Sequence, residues 1–482
     1  MASIDKQSVR DEVQKVKAEF DRLSQAGSMS AEVKALMSTL LLIVELMLSI
    51  FLEKRTKKDS NNASIPPSQT DKDDTSTSDS GTHGKGKTED QAPPRNARTV
   101  ETVTVLAVNH CQQCGEDLQG VAASDYERRT LIDIVFEKVI DHADAEIKQC
   151  PTCQGETKAD FPDKRPGPLQ YGSGVKAYVI DLVVCQMVAL GRVQSLVKAM
   201  FGITLAESSM LRFVLRLHLA LESWEAEATR QLLKAPAIHV DETSLRVDKK
   251  NHWIHVYAAG DWTLKHLHRK RGLEAINAIN IIPRYEGVII HDCWASYLSY
   301  KHCDHGLCGS HLLRDLTFIV ESNGYPWARN MKRLLQETCK KVTQTKQKKL
   351  NARDYANLQK RYRNILTRGE KQLPPIPPKP SGKRGKLAKS AAHNLWERLK
   401  QHETAVLLFA KQSEVAFTNN RAEQDLRMAK VKQKVSGCFR TVIYAEAYCR
   451  ISSYLQTMAN KGYNPLLAIQ MALAGEWDLG EE

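Results

Sequence analysis

Apolar positions change their spacing several times along the chain, and each change marks a part of it. Val33, Leu36, Leu40, Ile43, Met47 and Ile50 follow at alternating three- and four-residue steps, the seam of a coiled coil or helical dimer. Residues 54–98 then lose almost all apolar character and fill with Lys, Asp, Ser, Thr and Asn, the composition of a disordered linker. Short β-rich runs follow at 102–108, 130–139 and 145–148. Residues 172–235 return to a helical spacing. Beyond them the period shortens again, predicting strands over 237–247, 252–259 and 263–268, a helix over 273–279 and a fully apolar strand over 287–291. Residues 331–400 read as helical with a proline break at 374–380, and the last eighty residues are helical once more.

Composition narrows what these elements can serve. The 482 residues allow about three domains, and 42% apolar residues exclude wholesale disorder. The net charge of +13 is unevenly placed: residues 331–400 hold 20 Lys and Arg against 4 Asp and Glu, while the remaining 412 residues sum to −3. A polyanionic partner, nucleic acid or an anionic membrane surface, is therefore expected at this block. Eleven cysteines are too sparse for a disulfide scaffold, and the charged first thirty residues do not read as a secretory signal, so a reducing cytoplasm is expected. Residues 35–52 are the one membrane-like stretch. A spanning helix needs ~20 apolar residues, and an acid at its centre, here Glu45, costs roughly 2.5–3.5 kcal/mol. The seam favours an oligomerising helix, with membrane contact as the second reading because Leu41, Leu42, Val44, Leu46, Leu48 and Phe51 widen the apolar surface.

Two motifs suggest binding modules. Cys111, Cys114, Cys150 and Cys153 form two Cys-x-x-Cys pairs, each followed by a glycine, Gly115 or Gly155, as zinc knuckles require where backbone N–H groups approach thiolates. Four thiolates would make a structural Zn²⁺ site with no position left for a substrate; a redox pair is the alternative. Residues 193–216 read as a short helix, a turn at Gly202 and a second helix capped near Thr204–Ser208, the helix-turn-helix spacing, which would turn Ser208, Ser209 and Arg212 outward. Any two packed helices joined through glycine look the same.

Three acids carry the candidate chemistry. Asp241 interrupts an apolar run, and Asp292 ends the apolar strand at 287–291; an acid at the end of a buried strand is costly without a partner, and metal ions are the usual compensation. An N-cap or a salt bridge explains either one alone. In a β-β-β-α-β unit of ribonuclease H-like type the two positions lie side by side. A third acid from a helix fits Glu423, with Asn419 or Asn420 as cap and Arg427, Lys430 and Lys434 on the same face, suited to phosphate. His302, Cys303, His305, Cys308 and His311 could make a second zinc site; alternatively, the Cys308-x-x-His311 pair resembles a Cys-x-x-His that follows the second aspartate in several DDE transposase families, which implies that His311 and Arg314 support the core or touch DNA. Trp253 reads as core packing.

The order Asp241, Asp292, Glu423, the phrases NNRAEQDLRMAKVKQKVSGCFRT, NNASIPPSQ and CGSHLLRDL, and the paired cysteines together resemble the DDE transposases of the bacterial insertion-sequence sixty-six family over about residues 30–475. The resemblance implies a multidomain α+β chain. Its parts would be coiled-coil-like helices (1–53), a linker (54–98), a zinc-ribbon-like β module (99–165) and a helix-turn-helix DNA-binding region (166–235). A ribonuclease H-like α/β catalytic core (236–330 and 401–450), a basic helical insertion (331–400) and C-terminal helices (451–482) would complete it. It also implies that Asp241, Asp292 and Glu423 bind two Mg²⁺ ions, or Mn²⁺, to cleave and join DNA strands. The implied partners are inverted-repeat ends, target DNA, further copies of the chain and accessory proteins of the same element, at the cytoplasmic nucleoid; membrane is not among them. A non-catalytic zinc-containing regulator descended from such an enzyme is the alternative.

Overall fold

The computed structural model describes residues 102–132, 137–162, 167–376 and 389–477, with Arg22 and Met37 as single positions before them. The chain divides into two units, Met1–Ser76 and Thr77–Glu482, and all the elements below belong to the second. Apart from those two positions, the helix expected over 1–53 and the linker expected over 54–98 lie outside the described residues. Among the described residues no helix is long and apolar enough to cross a membrane.

In the cysteine-bearing region, strands β1 (Ile147–Gln149) and β2 (Glu156–Lys158) pair antiparallel around the second cysteine pair. The strand expected at 102–108 does not form: Val103, Val105, Leu106 and Val108 each keep 62% or more of their surface in solvent. The described part of 130–139 behaves alike, with Leu131, Ile132 and Val139 exposed. Apolar alternation specifies a strand only where one face finds something to bury against, and these side chains do not.

Helices α1 (Ser173–Val184), α2 (Leu190–Phe201), α3 (Glu207–Ala220) and α4 (Glu222–Lys234) follow. Gly202 ends α2 at φ 65°, a left-handed cap that glycine adopts without strain. Gln194 of α2 donates to the carbonyl of buried Leu205 at 2.6 Å, tying the turn to the first helix. The cap of α3 is Ala206, whose methyl cannot accept a hydrogen bond, instead of a hydroxyl from Thr204–Ser208. The buried faces of α1–α4, including Ile180, Met210, Leu217 and Trp224, share one core with Ile238, Val240 and Ile289 of the sheet.

That sheet has the order β5-β4-β3-β6-β7. Strands β3 (Ala237–Val247), β4 (Lys250–Ala259) and β5 (Trp262–His268) form an antiparallel meander. Asp248 and Lys249, both at positive φ, close the first hairpin with the handedness that matches strand twist. Helix α5 (Leu273–Ile279) crosses to β6 (Val288–His291), which lies parallel to β3, and the short helix α6 (Ala295–Leu298) leads to β7 (Asp304–Leu307), parallel to β6. All four residues of β6 are buried because both faces are covered: Ile289 joins the core with α1–α4, whereas Val288 and Ile290 face a second core. This mixed sheet between helical layers is compatible with a ribonuclease H-like core.

The second core is built by α7 (Gly309–Asn323), α8 (Pro326–Gln344), α9 (Ala352–Glu370), α10 (Ala391–Gln401) and α11 (Glu403–Lys411). The basic block thus forms packed helices around Trp327, Tyr362 and Trp396. Helix α12 (Asn420–Ser436) then returns to the sheet beside β3, α13 (Val442–Asn460) packs on β5, and α14 (Pro465–Ala474) closes the chain.

Candidate active site

The parallel register of β3 and β6 pairs His239 with Ile290; carried on by two residues, it sets Asp241 level with Asp292. Each acid holds a nearby backbone N–H: Asp241 Oδ1 accepts from Glu242 at 2.8 Å and Asp292 Oδ1 from Trp294 at 3.1 Å. Cys293, between Asp292 and Trp294, takes φ 74°, a strained value for a side-chain-bearing residue at the point where the chain leaves the sheet.

Glu423 arrives on the first turn of α12. Asn419 is the N-cap by position, yet its side chain does not cap the helix. It bridges to β3: the Nδ1–H of His239 donates to its Oδ1 at 3.0 Å and its Nδ2 donates to the carbonyl of Val240 at 2.8 Å. Its own N–H donates to Cys308 Sγ at 3.1 Å. The close approach depends on Gly309, where an added Cβ would lie 2.3 Å from the Phe417 ring. Burial foremost, then the charges of Glu242, Asp292 and Glu423, push the Asp241 carboxyl up to about 8, opposed by the Glu242 N–H it accepts. The charges of Asp292 and Glu423 thus reach Asp241, and carboxylate oxygens are the donors a hard divalent cation takes.

Glu242, absent from the sequence expectations, is the buried neighbour of this centre. Its carboxylate accepts from Tyr297 Oη at 2.6 Å and from Arg271 at 2.8 Å (Nε) and 2.6 Å (Nη2). Burial raises its pKa, while Tyr297 and Arg271 hold it down. Arg271 lies between two indoles, 5.0 Å from the Trp253 ring and 4.4 Å from that of Trp294. Trp253 is thus half-buried and stacked on a cation, not the core residue expected. The Asp241-Glu242 pair in the sequence was the available signal; Arg271, thirty residues on, gave none.

The cluster of His302, Cys303, His305, Cys308 and His311 does not gather into one metal site. His302 bonds the Ile282 carbonyl at 3.1 Å, and Cys303 Sγ donates to the Tyr285 carbonyl at 2.8 Å. The Cys293 N–H donates to His291 Nδ1, so His291 Nε2–H donates to His305 Nδ1 at 3.1 Å, and His305 Nε2–H donates to the Tyr300 carbonyl at 3.0 Å. Burial holds both imidazoles below their ordinary pKa, and this neutral relay braces the strand end that carries Asp292. Cys308 and His311 instead flank Glu423, with ligand atoms of all three within 4.8 Å of one another.

Of the expected phosphate contacts, Lys430 reaches the β3 edge, donating to the carbonyl and hydroxyl of Ser244 at 3.3 Å, and it feels the charge of Asp241. Arg427 and Lys434 are exposed on the same helix, Arg314 is exposed on α7, and Ser208 and Arg212 are exposed on α3 with Ser209 half-buried. In the basic block Lys346, Lys348 and Lys349 are exposed, whereas Arg361 pairs with Glu337 at 3.2 Å and Arg363 with Glu403 at 2.9 Å. Lys383 and Arg384 lie outside the described residues.

The cysteine pairs form two turns of one design. Gly115 N–H bonds the Cys111 carbonyl and Cys111 N–H the Glu116 carbonyl; Gln154 and Gly155 repeat this around Cys150. Backbone N–H groups of Cys114 and Gln113 lower the Cys111 thiol pKa, and those of Cys153 and Thr152 bring Cys150 to about 7. Such turns stabilise thiolate, the form a zinc ion takes up.

No curated protein matches the chain. A family profile described as Transposase IS66 family matches residues 168–447. That span is more than half of the chain and takes in helices α1–α4, the whole sheet, the three acids and the basic insertion between the second and third. The chain belongs to the Transposase IS66 family.

Proposed function

We propose that this protein is a DNA transposase that binds the terminal inverted repeats of an insertion sequence and cuts and joins strands at a centre made by Asp241, Asp292 and Glu423. The observation that carries this reading is the Asp241 carboxyl, pushed up to about 8 by burial and by Glu242, Asp292 and Glu423. A carboxylate cluster of this kind, on the end of a mixed sheet and in a family of transposases, supports metal-dependent phosphoryl transfer. Two divalent ions, Mg²⁺ or Mn²⁺, held by these acids would activate a water or 3′-hydroxyl and stabilise the leaving 3′-oxygen.

The chain's own groups do the rest. Asp241 would have to give up its proton to take part as a ligand. Asn419 fixes the height of Glu423 over β3. Lys430, with Arg427 and Lys434 on the same helix, meets the phosphates beside the scissile bond. The four cysteines would hold a structural Zn²⁺, and α2–α3 would present Ser208, Ser209 and Arg212 to the DNA ends, with His311 and Arg314 nearer the centre. The test is Mg²⁺-dependent cleavage of a linear fragment bearing the element's ends. Asp241→Asn, Asp292→Asn and Glu423→Gln should each abolish turnover while end binding survives. Cleavage retained in Asp292→Asn would sink the assignment, and end binding without cleavage in the unaltered protein would identify a regulator instead.

A further inference from the structure

The donors around Glu423 differ in kind from those around Asp241. Cys308 Sγ lies 4.0 Å from Glu423 Oε1, His311 Nδ1 lies 3.6 Å from the same oxygen, and all three ligand atoms fall within 4.8 Å of one another. His311 Nδ1 is buried and has no hydrogen-bond partner, so it faces this space with its bonding capacity unused. The three residues come from element starts: Cys308 is the N-cap of α7, His311 sits in its first turn and Glu423 in the first turn of α12. The Asn419 N–H on Cys308 Sγ holds the two helices together. Sulfur and imidazole nitrogen are poor ligands for Mg²⁺ and good ones for Zn²⁺, and three protein ligands leave a tetrahedral ion one open position.

We propose that Cys308, His311 and Glu423 form a binding site for a thiophilic divalent cation of the zinc class, and that its occupancy withdraws Glu423 from Asp241 and Asp292. The binding site stands on this geometry alone; the withdrawal rests on the transposase reading. Cys308 releases its thiol proton to solvent on binding, and His311 binds through Nδ1. Zinc then acts as a brake on the centre, set by the competition of two kinds of metal for one carboxylate.

Co²⁺ serves as the probe, added to full-length protein whose Cys111–Cys153 module has been filled with Zn²⁺. One further equivalent should bind with thiolate-to-cobalt absorption, and this equivalent should weaken at least about tenfold in Cys308→Ser and in His311→Asn. His311 is only half-buried, so its variant keeps the test alive if Cys308→Ser misfolds. Spectra and stoichiometry unchanged in both variants, or no further equivalent in the unaltered chain, overturn the site. Mg²⁺-dependent cleavage is measured separately. Inhibition is read in each protein as its own ratio of rates with and without micromolar Zn²⁺, whatever its basal rate: a ratio relieved in Cys308→Ser or His311→Asn supports the brake, and ratios equal to that of the unaltered protein in both overturn it. Absence of any Mg²⁺-dependent cleavage would instead fell the transposase reading, leaving the cobalt titration to decide the site.

Discussion

Asn419 and His239 are 180 positions apart in sequence and joined by a 3.0 Å hydrogen bond, with Asn419 Nδ2 completing the bridge to the Val240 carbonyl at 2.8 Å. Through this one side chain the helix carrying Glu423 is fixed against the strand carrying Asp241. Asn419→Ala would leave His239 and the Val240 carbonyl without their partners, at a cost of about 1–3 kcal/mol. Cleavage should fall further than stability requires, by about tenfold or more at temperatures where the variant is fully folded. Thermal unfolding and single-turnover cleavage on the same preparation check this; activity unchanged in the folded variant would remove Asn419 from a positioning role.

Arg271 holds the buried Glu242 carboxylate from a half-exposed seat between Trp253 and Trp294. Arg271→Ala leaves that acid without its cation and should cost about 1.5–3 kcal/mol in urea unfolding. Adding Glu242→Gln to Arg271→Ala should recover part of the loss, because the carboxylate in need of a partner is gone. Strictly additive effects would mean the ion pair contributes nothing.

His255 on β4 is buried, with Nδ1 lacking a partner, and burial foremost lowers its pKa to about 4. The folded chain refuses a proton that the unfolded chain accepts below about 6.5. Stability from this group is therefore complete above pH 6.5 and is lost as pH falls toward 4, with a slope of up to about 1.4 kcal/mol per pH unit. In His255→Leu the unfolding free energy should lose less between pH 6.5 and 4. An identical pH slope in the two proteins would show that another group governs acid unfolding.

Lys346, Lys348 and Lys349 are exposed, while Arg361 and Arg363 are paired with Glu337 and Glu403. If the insertion tracks DNA phosphates, replacing the three lysines by Gln should flatten the salt dependence of end binding by up to about 0.9 for each phosphate no longer neutralised. Gln at Arg361 and Arg363 should change that slope less. Equal slopes in the lysine variant and the unaltered protein would place the DNA elsewhere.

The sheet was legible in the sequence because its strands and α5 alternate or fill cleanly: 273–279 forms the helix expected, and the meander at 237–268 differs only by a residue or two at its ends. Such patterns record burial on one face or two, which a local stretch of chain can encode. The run at 102–108 and the described part of 130–139 are rich in β-forming residues without a surface to cover, so those patterns had no strand to report. Trp253 was misread for a related reason: an indole on a strand looks like core until the Arg271 that covers it is placed.

By itself the sequence determined the acids, the cysteine pairs, the concentration of positive charge and the order of the elements, since each depends on residue type and spacing along the chain. The tertiary structure decided what those residues meet. Parallel pairing of β3 and β6 set Asp241 level with Asp292. Asn419 spent its amide on β3 instead of on its own helix, and His302, Cys303 and His305 were claimed by backbone carbonyls or a neighbouring imidazole. Cys308 and His311 were brought to Glu423 across more than a hundred residues. Hydrogen bonds and metal–ligand bonds act over a few ångströms, and only folding makes such distances between positions far apart in the chain.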